Sequence, residues 1–308
     1  MRFILVILLL VSGFMISFRM SLDYFSAYDA QPLSLTWLLG FGDSLLQPGG
    51  APPAPAPPGE QLPGLPPASG SPFSTAQLLA SAEEVYYGIH FFSPDLTFIS
   101  GDSIAAPAAD LIKVFLMHFV LHTVERGVLF MDTTLAGTPV RILLQDMVTT
   151  SDGQAANTFI DTFGLETINS FLRAYGYQDT LMQHRMLDFD ALARGLANYT
   201  STNDALLLLG NLQRNRQIFP YSVMLELLQG RNIATKIPQF LPAGVSYTGM
   251  TGDLGSVEND MGLVSSPLGD FAIVVLTNRV ISSQAARQAI GTFARDVYDW
   301  ALQQGFYP

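Results

Sequence analysis

The first apolar stretch of the chain, Phe3 to Phe18, runs without a charge between Arg2 and Arg19. It is shorter than the roughly 20 residues of a typical membrane span, but flanking arginines can snorkel to the headgroups. Residues 1–25 therefore read as a signal-anchor or transmembrane helix, or as a cleaved secretory signal. "SFRMSLDYF" offers no small-x-small cleavage site, which favours the anchor. Both readings put the rest of the chain on the extracytoplasmic face, membrane-anchored in one case and secreted in the other. Residues 26–47 hold the nearly uncharged "LSLTWLLGFGDSLL" and read as an amphipathic juxtamembrane segment. A short helix packed on the main domain fits this stretch equally well. The pattern then breaks. Residues 48–72 carry ten of the nineteen prolines and no apolar period, which predicts a Pro/Gly/Ala-rich linker. In extended polyproline geometry, at about 3.1 Å per residue, such a spacer reaches several tens of ångströms.

From residue 73 to 308 the periodicity supports one domain. "STAQLLASAEE" predicts a helix with a Ser/Thr start signal. "VYYGIHFF" and "LTFISG" alternate like two paired strands. Helical patterns dominate from Ala109 to about Gln229. "VENDMGLVSSPLGDFAIVVLTN" predicts two further strands joined at "SPLGD", and "SQAARQAIGTFARDVYDWALQQ" a long amphipathic helix. Strands at both ends and helices between them predict an α/β (α+β) domain. Its antiparallel sheet would be built from both ends of the domain, with an inserted helical lobe.

Charge and composition narrow the function. The net charge is −11 with no basic stripe, so nucleic acid is not an expected partner. The absence of cysteine removes disulfides, thiolate catalysis and Cys-based zinc sites. His118 and His122 stand at i, i+4, but no HExxH acid lies between them, and a packed or solvated pair is expected. With His90 and His184, the four histidines form no binding motif. No cofactor or metal is expected.

Three short stretches carry chemistry. In "AADLIKVF", Lys113, one of only two lysines, is set in an apolar run with Asp110 three residues before it. "TTSDGQAANTFIDTFG" contains Ser151, Asp152 and Gly153. "YTGMTGDLG" contains Met250, Thr251 and Gly252. In this order they resemble the S-x-x-K, S-D-N and K-T-G motifs of class A serine β-lactamases and the related penicillin-interacting D-Ala-D-Ala peptidases. The resemblance covers Phe73 to Pro308. It implies a β-lactamase-like fold in which a helix-start serine attacks a carbonyl, assisted by the lysine one turn on. Here the nucleophile position is Asp110, Gly153 replaces the asparagine that contacts the substrate amide, and Met250 replaces the K-T-G lysine. Tyr247 to Gly249 offers a competing third register; Met250 to Gly252 fits the run into the next strand without a gap. "MQHRMLDFDALARG" resembles the family's Ω-loop, with Arg185 and Asp188 expected to pair and hold the loop. It contains no glutamate, so Asp188 and Asp190 are its nearest acids. "NYT" at Asn198 matches a glycosylation sequon, which is uninformative in a domain of this type.

The family's motifs bring two lysines and one aspartate, a formal +1; Lys113, Asp110 and Asp152 sum to −1. Loss of the nucleophile alone costs several orders of magnitude in rate. No intact catalytic set is expected, and ordinary penicillin hydrolysis is expected to be lost. Asp110 is predicted to take a salt bridge from Lys113, with its carboxylate toward the former oxyanion N–H groups of residues 110 and 253. Three functions are compatible with this pattern. The first is a membrane-tethered, extracytoplasmic pseudoenzyme that binds an envelope protein or a cell-wall fragment. The second is a hydrolase whose nucleophile has moved to Ser151, with Lys113 as its partner. The third is a structural subunit of an envelope complex, assembled through its N-terminal segments.

Overall fold

The computed structural model describes residues 72–101, 103–231, 235–266 and 269–305. The proposed anchor, juxtamembrane segment and linker lie outside the described residues. Among the described residues no helix is long and apolar enough to cross a membrane.

The chain enters through α1 (Ala76–Ser81), β1 (Ala82–Phe91) and β2 (Leu96–Ser100), with a short β3 (Ala106–Pro107) before the helical lobe. The helix predicted for "STAQLLASAEE" stops at Ser81. From Ala82 the backbone joins a ladder with β9 (Gly269–Val280), Ala82 opposite Val280, and the ladder overrides the helical pattern of "AEE". A 3-10 turn (Ala109–Leu111) then leads into α2 (Ile112–Glu125). All of α2 except His122 and Glu125 is buried, including Lys113 and His118. A helix apolar on every face belongs at the centre of a core. Around it stand the β4–β5 hairpin (Thr134–Leu135, Thr138–Pro139) and the helices α3 (Val140–Thr149), α4 (Gly153–Phe163) and α5 (Leu165–Ala174). After them come α6 (Phe189–Ala193), β6 (Tyr199–Thr200), α7 (Thr202–Arg214) and α8 (Tyr221–Gln229).

Beyond α9 (Ile237–Phe240) the chain returns to the sheet as β7 (Ser246–Leu254), β8 (Val257–Ser266) and β9, and ends on α10 (Ser283–Gln303). The sheet runs β2-β1-β9-β8-β7, antiparallel at every pairing. Strands from both ends of the domain thus close one sheet, as the sequence pattern predicts. Alternate residues of β9 serve two cores. Val274 and Leu276 face the lobe, while Ile273 and Val275 pack under α10 with Ile290, Phe293 and Val297. Strand β7 is the sheet's edge, so its free side meets the start of the lobe.

Candidate active site

The site forms where the start of α2 meets strand β7. Asp110 sits in the 3-10 turn, and Ala109 before it has a φ of 49°. Gly252 is opposite Asn259 in the sheet. A Cβ at Gly252 would lie 2.9 Å from the Asp110 amide nitrogen and 3.1 Å from the Ala108 carbonyl. Only glycine allows the strand to come this close. This contact selects Met250-Thr251-Gly252 as the third motif, because the glycine of the competing triplet, Gly249, meets Tyr247 and Met261 instead.

The Asp110 carboxylate, about a third exposed, pairs with the Lys113 ammonium: Oδ1 to Nζ is 2.7 Å. Lys113 is buried and also donates to the Ser151 carbonyl at 2.6 Å. The expected ion pair is therefore present. The Asp110 side chain makes no described hydrogen bond to a backbone N–H, so the expected orientation toward the amides of residues 110 and 253 is not adopted. Lys113 is the stronger partner, and i, i+3 spacing on the first turn brings it within reach.

Ser151 has a φ of 58°, and it is its carbonyl, not its hydroxyl, that bonds Lys113. Its Oγ is instead 3.2 Å from Arg231 Nη1, which also donates to the Val148 carbonyl. Burial pulls the Arg231 guanidinium down from its ordinary range, while the nearby Asp110 charge opposes this. Arg231 adds a positive charge beside Ser151 that the three-motif count omits. Asp152 caps α4: its Oδ1 accepts from the amides of Gln154 (2.7 Å) and Ala155 (3.2 Å). A Cβ on Gly153 would stand 3.1 Å from Leu187 Cδ1, so the Leu187 side chain leans over the space vacated by the motif's asparagine. Met250 is fully buried in the lobe-side core, opposite Met261, where an apolar side chain packs without an uncompensated charge. Thr251 stands opposite Asp260.

The expected Arg185–Asp188 pair does not form. Arg185 Nη2 reaches Asp161 on α4 at 2.9 Å, and Asp188 caps α6 through the Ala191 amide at 2.9 Å. The capping requirement of a new helix takes the aspartate, and the arginine pairs with Asp161 instead. Asp190 lies in the first turn of α6. Asn198 is buried and braces the loop: its Oδ1 accepts from the amides of Gln183 (2.8 Å) and His184 (3.2 Å). His118 bonds the Tyr177 hydroxyl at 3.0 Å, and burial pushes its pKa down to about 3. His122 bonds the Tyr175 hydroxyl at 2.7 Å.

The second lysine, Lys236, is buried behind β7. Its ammonium reaches the Gly252 carbonyl (3.2 Å), Asp253 (3.1 Å), the Asn259 carbonyl (2.9 Å) and Glu258 (2.9 Å). Next to it, Tyr247 donates to Asp260 at 2.5 Å. Burial drives the Asp260 carboxyl up to about 7, against the pull of Lys236.

Between these elements lies a cleft of about 190 Å³, lined by Asp110, Lys113, Ser151, His184, Leu187 and Asp253 among others. Sequence reasoning missed His184, Arg231 and Leu187. His184 and Leu187 lie in the Ω-loop-like stretch but not at the positions singled out there, Arg231 follows α8, and only the fold brings the three to the site.

A family model described as the Beta-lactamase enzyme family matches residues 78–301. The chain belongs to the Beta-lactamase enzyme family. Several solved structures share the fold at low identity. A β-lactamase from Sphaerobacter thermophilus is 22% identical with a TM-score of 0.66, over 74% of this chain and 97% of that one. One from Chitinophaga pinensis is 19% identical, TM-score 0.67, over 73% and 96%. A PBP-A variant, described as an acyl-enzyme complex with penicillin G, is 20% identical, TM-score 0.64, over 71% and 90%. No curated protein sequence matches the chain.

Proposed function

We propose that this β-lactamase-family domain is a non-acylating binding or scaffolding module of the cell envelope, tethered on the extracytoplasmic face by the apolar segment at residues 3–18. Its partner is an envelope protein or a cell-wall fragment. The observation that carries the reading is the Asp110–Lys113 ion pair at 2.7 Å. At the helix start, where the S-x-x-K resemblance expects a serine with a basic amine beside it, stands a carboxylate that binds the amine. An amine held as an ammonium by a carboxylate has no lone pair with which to take a proton. The Ser151 hydroxyl does not provide a substitute nucleophile, because its neighbour is the Arg231 guanidinium, which does not act as a base.

The test is covalent labelling of the full chain by a fluorescent penicillin, read by intact mass, beside the Asp110→Ser/Met250→Lys double variant. The relative most pertinent to it is the PBP-A variant, whose description names a penicillin acyl-enzyme. The parent is expected to stay unlabelled and the double variant to gain an adduct. An adduct on the parent, at Ser151 or elsewhere, would overturn the reading. Tethering is tested separately: removing residues 1–47 should release the protein from the membrane fraction.

A further inference from the structure

We infer that residues 33–46, the apolar segment ahead of the linker, fold back over the mouth of the cleft and dock on the loop of their own chain that spans residues 186–197. The segment, "LSLTWLLGFGDSLL", lies outside the described residues. Of the two readings its sequence allows, on the membrane or packed on the domain, this takes the second and gives it a place. The inference goes beyond the proposed function and does not depend on whether the site acylates. A partner reaching the cleft has first to displace the segment.

The receiving surface is apolar where a loop is ordinarily polar. Met186, Leu187, Leu192 and Ala197 line the cleft together with Pro107 and Leu254. The apolar character continues outside it. Leu187, Phe189 and Leu196 expose 57%, 64% and 36% of their surface. The Phe189 amide bonds the Leu187 carbonyl at 3.1 Å, and Leu196 adjoins the wall residue Ala197, so the three belong to one stretch of surface. Clustered apolar exposure of this kind marks an interaction site. Leu187 also has a φ of 62°, a left-handed conformation that a leucine rarely takes. Strained backbone of this kind clusters at ligand-binding surfaces.

Chain length and charge select the occupant. The described chain begins on the α10 side of the sheet, where Phe73 packs against Phe98, Phe293 and Trp300. Residues 48–72 in extended polyproline geometry, at about 3.1 Å per residue, reach about 75 Å. A compact domain of about 240 residues is about 45 Å across, and half its circumference is about 70 Å. The linker is therefore long enough to carry residue 47 round to the cleft. A segment tethered in this way is present at an effective concentration on the order of millimolar, so even a weak apolar contact is populated. Its one charged residue is Asp43, which adds little repulsion at a mouth that holds Asp110 and Asp253. A second copy would bring a net charge of −11 to the same place. A bilayer would cover the exposed rim but leave the cleft behind it unfilled. Trp37 gives the segment a large aromatic side chain, the type that anchors in apolar pockets.

The experiment places a photo-cross-linker at the exposed Phe189, as Phe189→p-benzoylphenylalanine, in the full chain reconstituted in phosphatidylcholine vesicles. Irradiation is expected to give a product of monomer size whose adduct maps within residues 33–46. An adduct to lipid, to a second copy or to another part of the chain would overturn the inference, as would no adduct at all. A second measurement does not depend on the cross-linker. The parent is compared by hydrogen exchange with a full chain in which residues 33–46 are replaced by a Gly/Ser run of equal length. Amides of residues 186–197 are expected to exchange severalfold more slowly in the parent. Equal rates would overturn the inference. Penicillin labelling of the same samples reports on acylation alone, so the failure of one reading is not mistaken for the failure of the other.

Discussion

Asp110 and Lys113 stand three positions apart on the first turn of a buried helix, so their pairing follows from helix geometry, and the sequence spacing predicts it. Asp152 shows the opposite lesson. As part of an S-D-N-like motif it reads as a remnant of chemistry, yet its carboxylate is spent on two amides at the start of α4. Capping alone accounts for an aspartate at this position in a chain whose site has otherwise changed. Asp152→Ala should therefore lower stability by about 1 kcal/mol, and Asp152→Asn by only a few tenths. Urea unfolding midpoints of the three proteins measure this. An alanine variant as stable as its parent would show that the cap contributes nothing. Arg185 and Asp188 were less legible for the same reason. Spacing alone cannot tell an ion pair from a cap when Asp161, distant in sequence, competes for the arginine.

At the scale of elements, periodicity exposed the strands of both chain ends, because each has its own pattern of burial. It misplaced the start of β1, where ladder bonds to β9 outweigh the helical preference of "AEE". The third motif was legible because its glycine answers to a backbone, the Asp110 amide, and not to a side chain. What spacing did not reveal is why β7 is glycine-rich. The Tyr247 ring lies across the strand pair, with its hydroxyl 2.4 Å from where a Cβ on Gly249 would be. The same Cβ would be 2.3 Å from the Met261 carbonyl, which belongs to the paired backbone and cannot swing aside. Gly249→Ala should thus cost about 2–3 kcal/mol by overpacking. It should also displace Tyr247 from Asp260, visible as a changed near-ultraviolet circular dichroism signal. A variant that keeps both its midpoint and its spectrum would show that the strand pair yields more easily than this geometry allows.

Over the whole molecule, the −11 charge conceals a more selective arrangement: both lysines are buried in ion pairs, and among the buried titratable groups with displaced pKa values are two carboxyls and a histidine. Burial raises Asp260 to about 7 and Asp204 to about 6, and lowers His118 to about 3. The signs differ. A carboxyl whose folded pKa lies above its unfolded value holds its proton more tightly in the native state. Its stabilisation is complete below the unfolded pKa and is lost as pH rises through the folded one. For Asp260 that window runs from about 4 to about 7. A histidine whose folded pKa is depressed stabilises above its unfolded value of 6.5, and this is lost as pH falls toward 3. Between about pH 4 and 6.5 the two trends oppose each other, so the parent's own profile does not separate them. The differences between proteins do. The stability of the parent relative to Asp260→Asn should fall as pH rises from about 4 to 7 and stay level above. Relative to His118→Phe it should fall as pH drops below about 6.5. Denaturant midpoints of the three proteins across this range check both slopes, whatever constant offset each substitution adds. A parent-to-Asp260→Asn difference that is flat from pH 4 to 7 would mean that the carboxylate is already ionised in the native state, with Lys236 rather than burial governing it.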